Sequence, residues 1–303
     1  MSYSKKRIEY NNKWPDNVIT FSGQQDFYKL LEEKKVENIF KPIILPNIED
    51  EQFQRLLSFK IDIYEQLPYR PDIAFDLAWR TFEAYSSYFA TRWNIVGMWK
   101  ILNKVSEDIL INQINKNLSL SEALKNLLNS VPLQATEFLV RRLFETTSLS
   151  LKPQKAQIID RFKDSLGQDF FDCFKAKYGE LNSENQRKAG MLLQIIISGK
   201  KISLEGKTFQ FDTLQILKLI INGLLYTYRN ERFHGDSFSP FKSSKTKIKT
   251  YAHSYFCLIS TYFFIAQLIY KHFESEIDLN DMIKSLNDNT DRFNLVFKNQ
   301  LKK

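Results

Sequence analysis

An all-α fold is the expectation from three features of this sequence. Breakers are scarce, with 9 Gly and 8 Pro in 303 residues, while 43% of positions are hydrophobic. Bulky aromatic side chains are abundant, 25 Phe and 14 Tyr. Long segments also repeat apolar residues at spacings of three and four. This combination favours packed helices over a turn-rich β architecture, and the chain is long enough to bury one large core or two modest ones.

Taken in order, residues 1–23 are polar and carry no apolar period, so they read as irregular with a short extended piece at 18–21. A helix is expected over 24–38, an extended, proline-bounded connector over 40–46 and a charged helix over 48–66. Pro68 and Pro71 mark a break, and Pro71 suits the first turn of the aromatic helix 73–91. The break divides the chain into an N-terminal extension, 1–65, and a main helical domain, 66–303. Within the latter, helices are expected at 106–117, after a capping-box pattern of Ser119 and Glu122, and at 133–146, 154–178 and 183–198. In residues 201–211 (KISLEGKTFQF), Glu205–Gly206 separates two short alternating runs, the signature of a small β-hairpin. The next helix has one apolar face of Leu214, Leu217, Ile221, Leu224 and Tyr228 and runs into RNERFHGD at 229–236. Beyond Pro240, a long helix is expected over 243–273, followed by a charged helix over 278–303 that packs by one face.

Residues 250–270 contain no Asp, Glu, Lys or Arg. His253, Ser254, Ser260, Thr261 and Gln267 interrupt the run too often for a membrane span, so a buried core helix is expected. The N-terminus has no apolar stretch of the secretory kind. Cys173 and Cys257 form neither a disulfide framework nor a zinc site, which suits a reducing cytosol. The chain is therefore expected to be soluble and cytoplasmic, with no membrane association. Its formal net charge of +8 permits a polyanionic partner without requiring one.

The segment that carries chemistry is Arg229-Asn230-Glu231-Arg232-Phe233-His234. Histidine titrates near neutral pH and can take a proton from a ribose 2′-hydroxyl or give one to a leaving 5′-oxygen. Arginine can hold two phosphate oxygens in its planar fork. Because the nucleophile belongs to the RNA itself, cleavage needs proton transfer and charge stabilisation but no metal or cofactor. In an unbroken helix, residues five apart diverge by about 140° and rise roughly 7.5 Å. Arg229 and His234 can then share a phosphate only if the helix breaks or two copies meet across a two-fold axis. The plainer alternative is a solvated helix end, where Arg and His meet the helix dipole.

Three further groups bear on this motif. Lys242, Lys245 and Lys249 would form a stripe at the start of the long helix and, with Arg232 and Lys247, could follow an RNA backbone; Ser243 and Ser244 could cap that helix. An ordinary lysine face is the alternative. Asp76, Arg80 and Glu83 lie at i, i+4 and i+7 on the aromatic helix and could support the motif, with Asp76 or Glu83 orienting Arg229, or could form an exposed ion-pair ladder. His253 and His272 fit structural roles. No metal-ligating constellation or glycine-rich phosphate loop stands out.

RNERFHG between two long hydrophobic helices resembles the HEPN superfamily, whose signature is Arg, four to six residues, then His, often with Asn after the Arg. The resemblance covers about 212–270, is weaker at 73–91 and does not reach 1–65. It implies an all-α, HEPN-like bundle with extra helices and a small hairpin, a homodimer joining two motifs, and metal-independent endoribonuclease activity leaving 2′,3′-cyclic phosphate. It further implies a toxin or antiviral defence role and, in some members, a regulatory protein partner. Arg229 and His234 match the catalytic pair and Asn230 the supporting polar residue. One departure stands out: the modified Tyr of antitoxin-controlled members is Asp236 here, although Tyr226 and Tyr228 are close by. A non-catalytic RNA- or protein-binding module, or an oligomerisation subunit of a larger assembly, are the competing readings.

Overall fold

The computed structural model describes residues 2–16, 18–145, 152–180, 182–235 and 238–301, with the side chains of 152–156 outside that description. Thirteen helices and one two-stranded hairpin are formed among the described residues, so the molecule is all-α. The helices are α1 (Tyr3–Lys13), α2 (Ser22–Lys34), α3 (Glu51–Glu65), α4 (Pro71–Ala90), α5 (98–116), α6 (Leu118–Asn129), α7 (Leu133–Phe144), α8 (Lys152–Leu166), α9 (Gln168–Tyr178), α10 (Ser183–Ile197), α11 (213–233), α12 (Ile248–His272) and α13 (Leu279–Phe297). The strands β1 (Ile202–Leu204) and β2 (Lys207–Phe209) lie between α10 and α11.

The charge-free run becomes α12, and every residue from Tyr251 to Ile269 on it is buried by surrounding helices. A helix apolar all round is a core element, and α12 is the axis on which the other helices pack: α4 along one side, α13 along another, with α3 against α4. Residues 1–65 complete this same core. Phe27 of α2 stacks on Tyr251 at 3.9 Å, and Phe53 of α3 meets Phe273 edge-on at 5.0 Å. The extended connector before α3 has its backbone polar groups met by side chains: Ile43 N donates to the Tyr262 hydroxyl at 2.8 Å, and Asn289 of α13 exchanges two hydrogen bonds with the backbone of Lys41. Buried backbone groups need such partners, so the connector holds its course across α12 and α13.

Several elements differ from the sequence expectation for identifiable reasons. Residues 3–13 are helical rather than irregular; α1 is capped by Ser2 and buries no residue, so it has no apolar period to read. The cap of α6 is Asn117, whose Oδ1 accepts from Leu120 N at 2.8 Å, and not Ser119. The helix expected over 154–178 is two helices, broken at Gly167, which has φ of +89°, a value that glycine tolerates. The hairpin turn has φ of +48° at Glu205 and +74° at Gly206, the two positive values of a type I′ turn.

Two helices contain a wider π turn, α5 at Ser106–Leu110 and α11 at Leu219–Leu225. In α11 the insertion has a visible cause. Arg161 of α8, fully enclosed, donates its Nε to the carbonyl of Asn222 at 2.8 Å and its Nη2 to Thr227 Oγ1 at 3.1 Å. A side chain entering the ladder widens it. The π turn of α11 is buried on all sides, which replaces the single apolar face read from its spacing.

His253 of α12 is buried, with Nε2 3.8 Å from Cys257 Sγ and its ring edge-on to Tyr228. Burial, with the charges of Arg141 and Arg232 added, pushes this imidazole down to about 3. The unfolded chain therefore binds a proton below its ordinary value near 6.5 that the folded chain refuses, and stability falls as pH drops from that value toward 3. Between pH 7 and pH 5 this one group should cost roughly 2 kcal/mol. Urea unfolding of wild type and His253→Gln at both pH values measures it. Equal pH dependence in the two proteins would refute the assignment.

Candidate functional site

The motif occupies the last two turns of α11, Tyr226–Phe233, and ends at His234, whose backbone is still right-handed. Gly235 follows with φ of +67°, the left-handed residue that commonly terminates a helix. Asp236, the departure noted in the sequence, lies outside the described residues. The helix does not break between Arg229 and His234, so the two side chains leave one chain in different directions.

Each motif side chain has a distinct environment. The guanidinium of Arg229 donates from Nη1 to Asn230 Oδ1 at 3.0 Å, lies 3.5 Å from Glu83 Oε2 and sits 4.3 Å over the Phe233 ring. Its Nε has no hydrogen-bond partner among the described residues, and 23% of the side chain is exposed. Glu83 is itself oriented by Trp79, whose Nε1 donates to it at 2.7 Å. Tyr226 stacks on that same indole at 5.9 Å. Of the two carboxylates considered for Arg229, then, Glu83 lies beside it. His234 is exposed at the helix end.

Asp76 pairs with Arg232 instead. Arg232 Nε and Nη2 reach its two oxygens at 2.7 and 2.6 Å, and Nη2 lies 3.3 Å from Asp72. Asp72 is fully buried and is also held by both arms of Arg70 at 2.9 and 3.0 Å. Arg232, assigned to RNA contact from the sequence, is thus turned inward as the tie between α11 and α4. Burial holds the Asp76 carboxyl above its ordinary value despite the hydrogen bonds and charge of Arg232. Arg80 points to solvent.

On the other side of α11, Glu231 accepts from Arg142 Nε of α7 at 2.7 Å and makes a second contact to Nη2. Arg142 also bonds Glu145 at 3.1 Å. Sequence reasoning missed Asp72, Arg70 and Arg142. The only available signal was helical phase: 229 and 232 share one face and 231 looks away from it, which requires partners on two different helices.

The lysine stripe is not formed. Pro240 opens a 3-10 turn, Pro240–Lys242, and Thr246 Oγ1 donates back to the carbonyls of Ser243, at 2.7 Å, and Pro240. The helix therefore begins only at Ile248, where Thr250 Oγ1 accepts from Lys247 N at 3.1 Å, and neither Ser243 nor Ser244 caps it. Lys242 turns toward the N-terminal segment, its Nζ 3.3 Å from Gln24 Oε1 and over the Tyr10 and Phe21 rings. Burial holds its pKa below the usual lysine value. Lys245 is exposed, and Lys249 faces Glu137 of α7. His272 stacks on Phe273 at 4.2 Å and Tyr88 at 4.6 Å.

The chain matches no protein-family model, no curated protein and no solved structure. What the arrangement can do is therefore argued from its side chains. One face of α11 presents an oriented, partly open guanidinium; its end presents an exposed imidazole; and the residues between them lock the helix to α4 and α7.

Proposed function

We propose that this protein is a metal-independent RNA endonuclease of the HEPN type, acting as a homodimer, with a toxin or antiviral defence role in the cytoplasm. The observation that carries this reading is the contrast within the motif. Glu231 and Arg232 are consumed by scaffold ion pairs, whereas His234 is free to reach a substrate and Arg229 is oriented by Glu83, Asn230 and Phe233 with part of its surface open. Helical spacing turns the two side chains about 140° apart in one chain, which supports a reading in which a second copy supplies the other member of the pair.

In the proposed reaction the ribose 2′-oxygen attacks phosphorus and gives its proton to one His234. The 5′-oxygen leaves and takes a proton from the His234 of the other copy. Arg229 stabilises the charge on the phosphorane oxygens, and Asn230 positions Arg229. The products are a 2′,3′-cyclic phosphate and a 5′-hydroxyl. The test is incubation of wild type and Arg229→Ala with total RNA in EDTA, followed by end-group analysis. Cutting by wild type alone, with cyclic phosphate ends, is expected; equal rates from both proteins would sink the mechanism.

A second reading, a non-catalytic RNA- or protein-binding module with or without a regulatory partner, is favoured by the scaffold role of Glu231 and Arg232. On that reading both proteins leave RNA intact and bind it equally well.

A further inference from the structure

We propose that Phe233 and Phe238 form a base-stacking subsite for single-stranded RNA beside His234, with the basic helix α1 as its outer wall. This rests on the nuclease reading for its place in a reaction, but not for its chemistry. Phe233 is 49% exposed and Phe238 67% exposed. Isolated exposed aromatics are common; these two share an unusual setting. Each ring has a guanidinium over one face, Arg229 at 4.3 Å from Phe233 and Arg7 at 4.7 Å from Phe238. Phe233 adjoins His234, and the four-residue step to Phe238 keeps its Cα within about 14 Å of it.

The second observation is α1 itself. None of its own residues is buried, and it meets the core through Tyr3, whose ring lies 5.5 Å from Phe21, so little apolar burial offsets the entropy of ordering it. It carries Lys5, Lys6, Arg7 and Lys13 against a single Glu9. Arg7 anchors it by donating Nη1 to the backbone carbonyl of Lys242 at 3.0 Å, in the segment just after the motif. The result is a basic wall fastened at the Phe238 platform, a few residues along the chain from Phe233. Cations that track phosphates, interleaved with rings that accept bases, fit a single strand. Bases paired in an A-form duplex are not free to stack on a side chain. A second copy is the other occupant to consider, but a two-fold contact here would oppose two surfaces of the same positive sign.

The experiment measures binding without cleavage, by fluorescence anisotropy of a short labelled single-stranded RNA and of the same sequence as duplex, using the full chain carrying His234→Ala. Adding Phe238→Ala should weaken the single strand about tenfold, which is ~1.4 kcal/mol and within the range of one base stack. Phe238→Trp should restore it, and the duplex should be indifferent to both. Lys5→Ala, which removes an exposed cation of the wall and leaves the Arg7 anchor in place, should reduce the salt dependence by about one phosphate contact. Failure of the parent to bind single-stranded RNA, equal affinity with and without Phe238, or a preference for duplex would overturn the proposal. So would a change of oligomeric state on Phe238→Ala with RNA affinity unchanged, which would make the surface an interface between copies. Phe238-dependent binding by a protein that never cuts would leave the subsite standing and remove the nuclease reading. Cutting by wild type with Phe238-independent affinity would do the reverse.

Discussion

Replacement of His234 by alanine is expected to slow RNA cleavage by about 10²–10⁴-fold, the usual contribution of a positioned acid–base group, with fold and RNA affinity preserved. The preservation follows from position. His234 is exposed at the end of α11, and its role in the helix is carried by its backbone, which donates to Asn230 O at 3.1 Å. Removing an exposed ring also opens space that a small molecule can enter, so added imidazole should recover part of the lost rate in His234→Ala. Asn230→Ala should cost less, because Asn230 acts through its 3.0 Å hydrogen bond from Arg229. Single-turnover rates on one RNA, beside binding measured in the same buffer, separate these effects. Unchanged cleavage in His234→Ala would remove the histidine from the chemistry.

Much of this architecture was legible in the sequence because its signals are local. The scarcity of breakers gave helices, Glu205–Gly206 gave the hairpin turn, Pro71 opened α4 and the charge-free run became the buried core helix α12. Features set by tertiary contacts were not legible. The π turn of α11 depends on Arg161, some 60 positions earlier, reaching the Asn222 carbonyl. The late start of α12 depends on Thr246 holding a turn that removes Lys242 and Lys245 from any helical stripe. The same division runs through the candidate site. The motif singled out Arg229, Asn230 and His234, and spacing brought Glu83 and Asp76 into consideration, but assigning Glu83 to Arg229 and Asp76 to Arg232 required the packing angle of α4 on α11. No pattern along the chain contains that angle.

Arg232, expected from the sequence to contact RNA and found paired with Asp76 and Asp72, should show the largest effect on stability. Its side chain is only 11% exposed and is shared between Asp76 and fully buried Asp72. Truncating one partner of such a pair costs about 3–5 kcal/mol, because the other charge is left in a poorly solvated place. Two features pull Arg232→Ala toward the lower figure: Asp76 is a quarter exposed, so water recovers part of its solvation, and Arg70 still holds Asp72. A loss near 3 kcal/mol is a large share of the ~5–15 kcal/mol of a typical domain, and urea unfolding will read it directly. Arg232→Lys should fall between, since a single ammonium cannot span two carboxylates as the guanidinium fork does. The double variant Arg232→Met with Asp76→Leu should regain much of the loss, because removing both charges leaves none stranded. An Arg232→Ala protein as stable as wild type but weaker on RNA would reverse the assignment and return Arg232 to the substrate. The expected result, lost stability with the RNA affinity of the remaining folded protein unchanged, would place Arg232 with Glu231 as the structural pair that holds the helix between α4 and α7, and leave Arg229 and His234 as the proposed chemical pair.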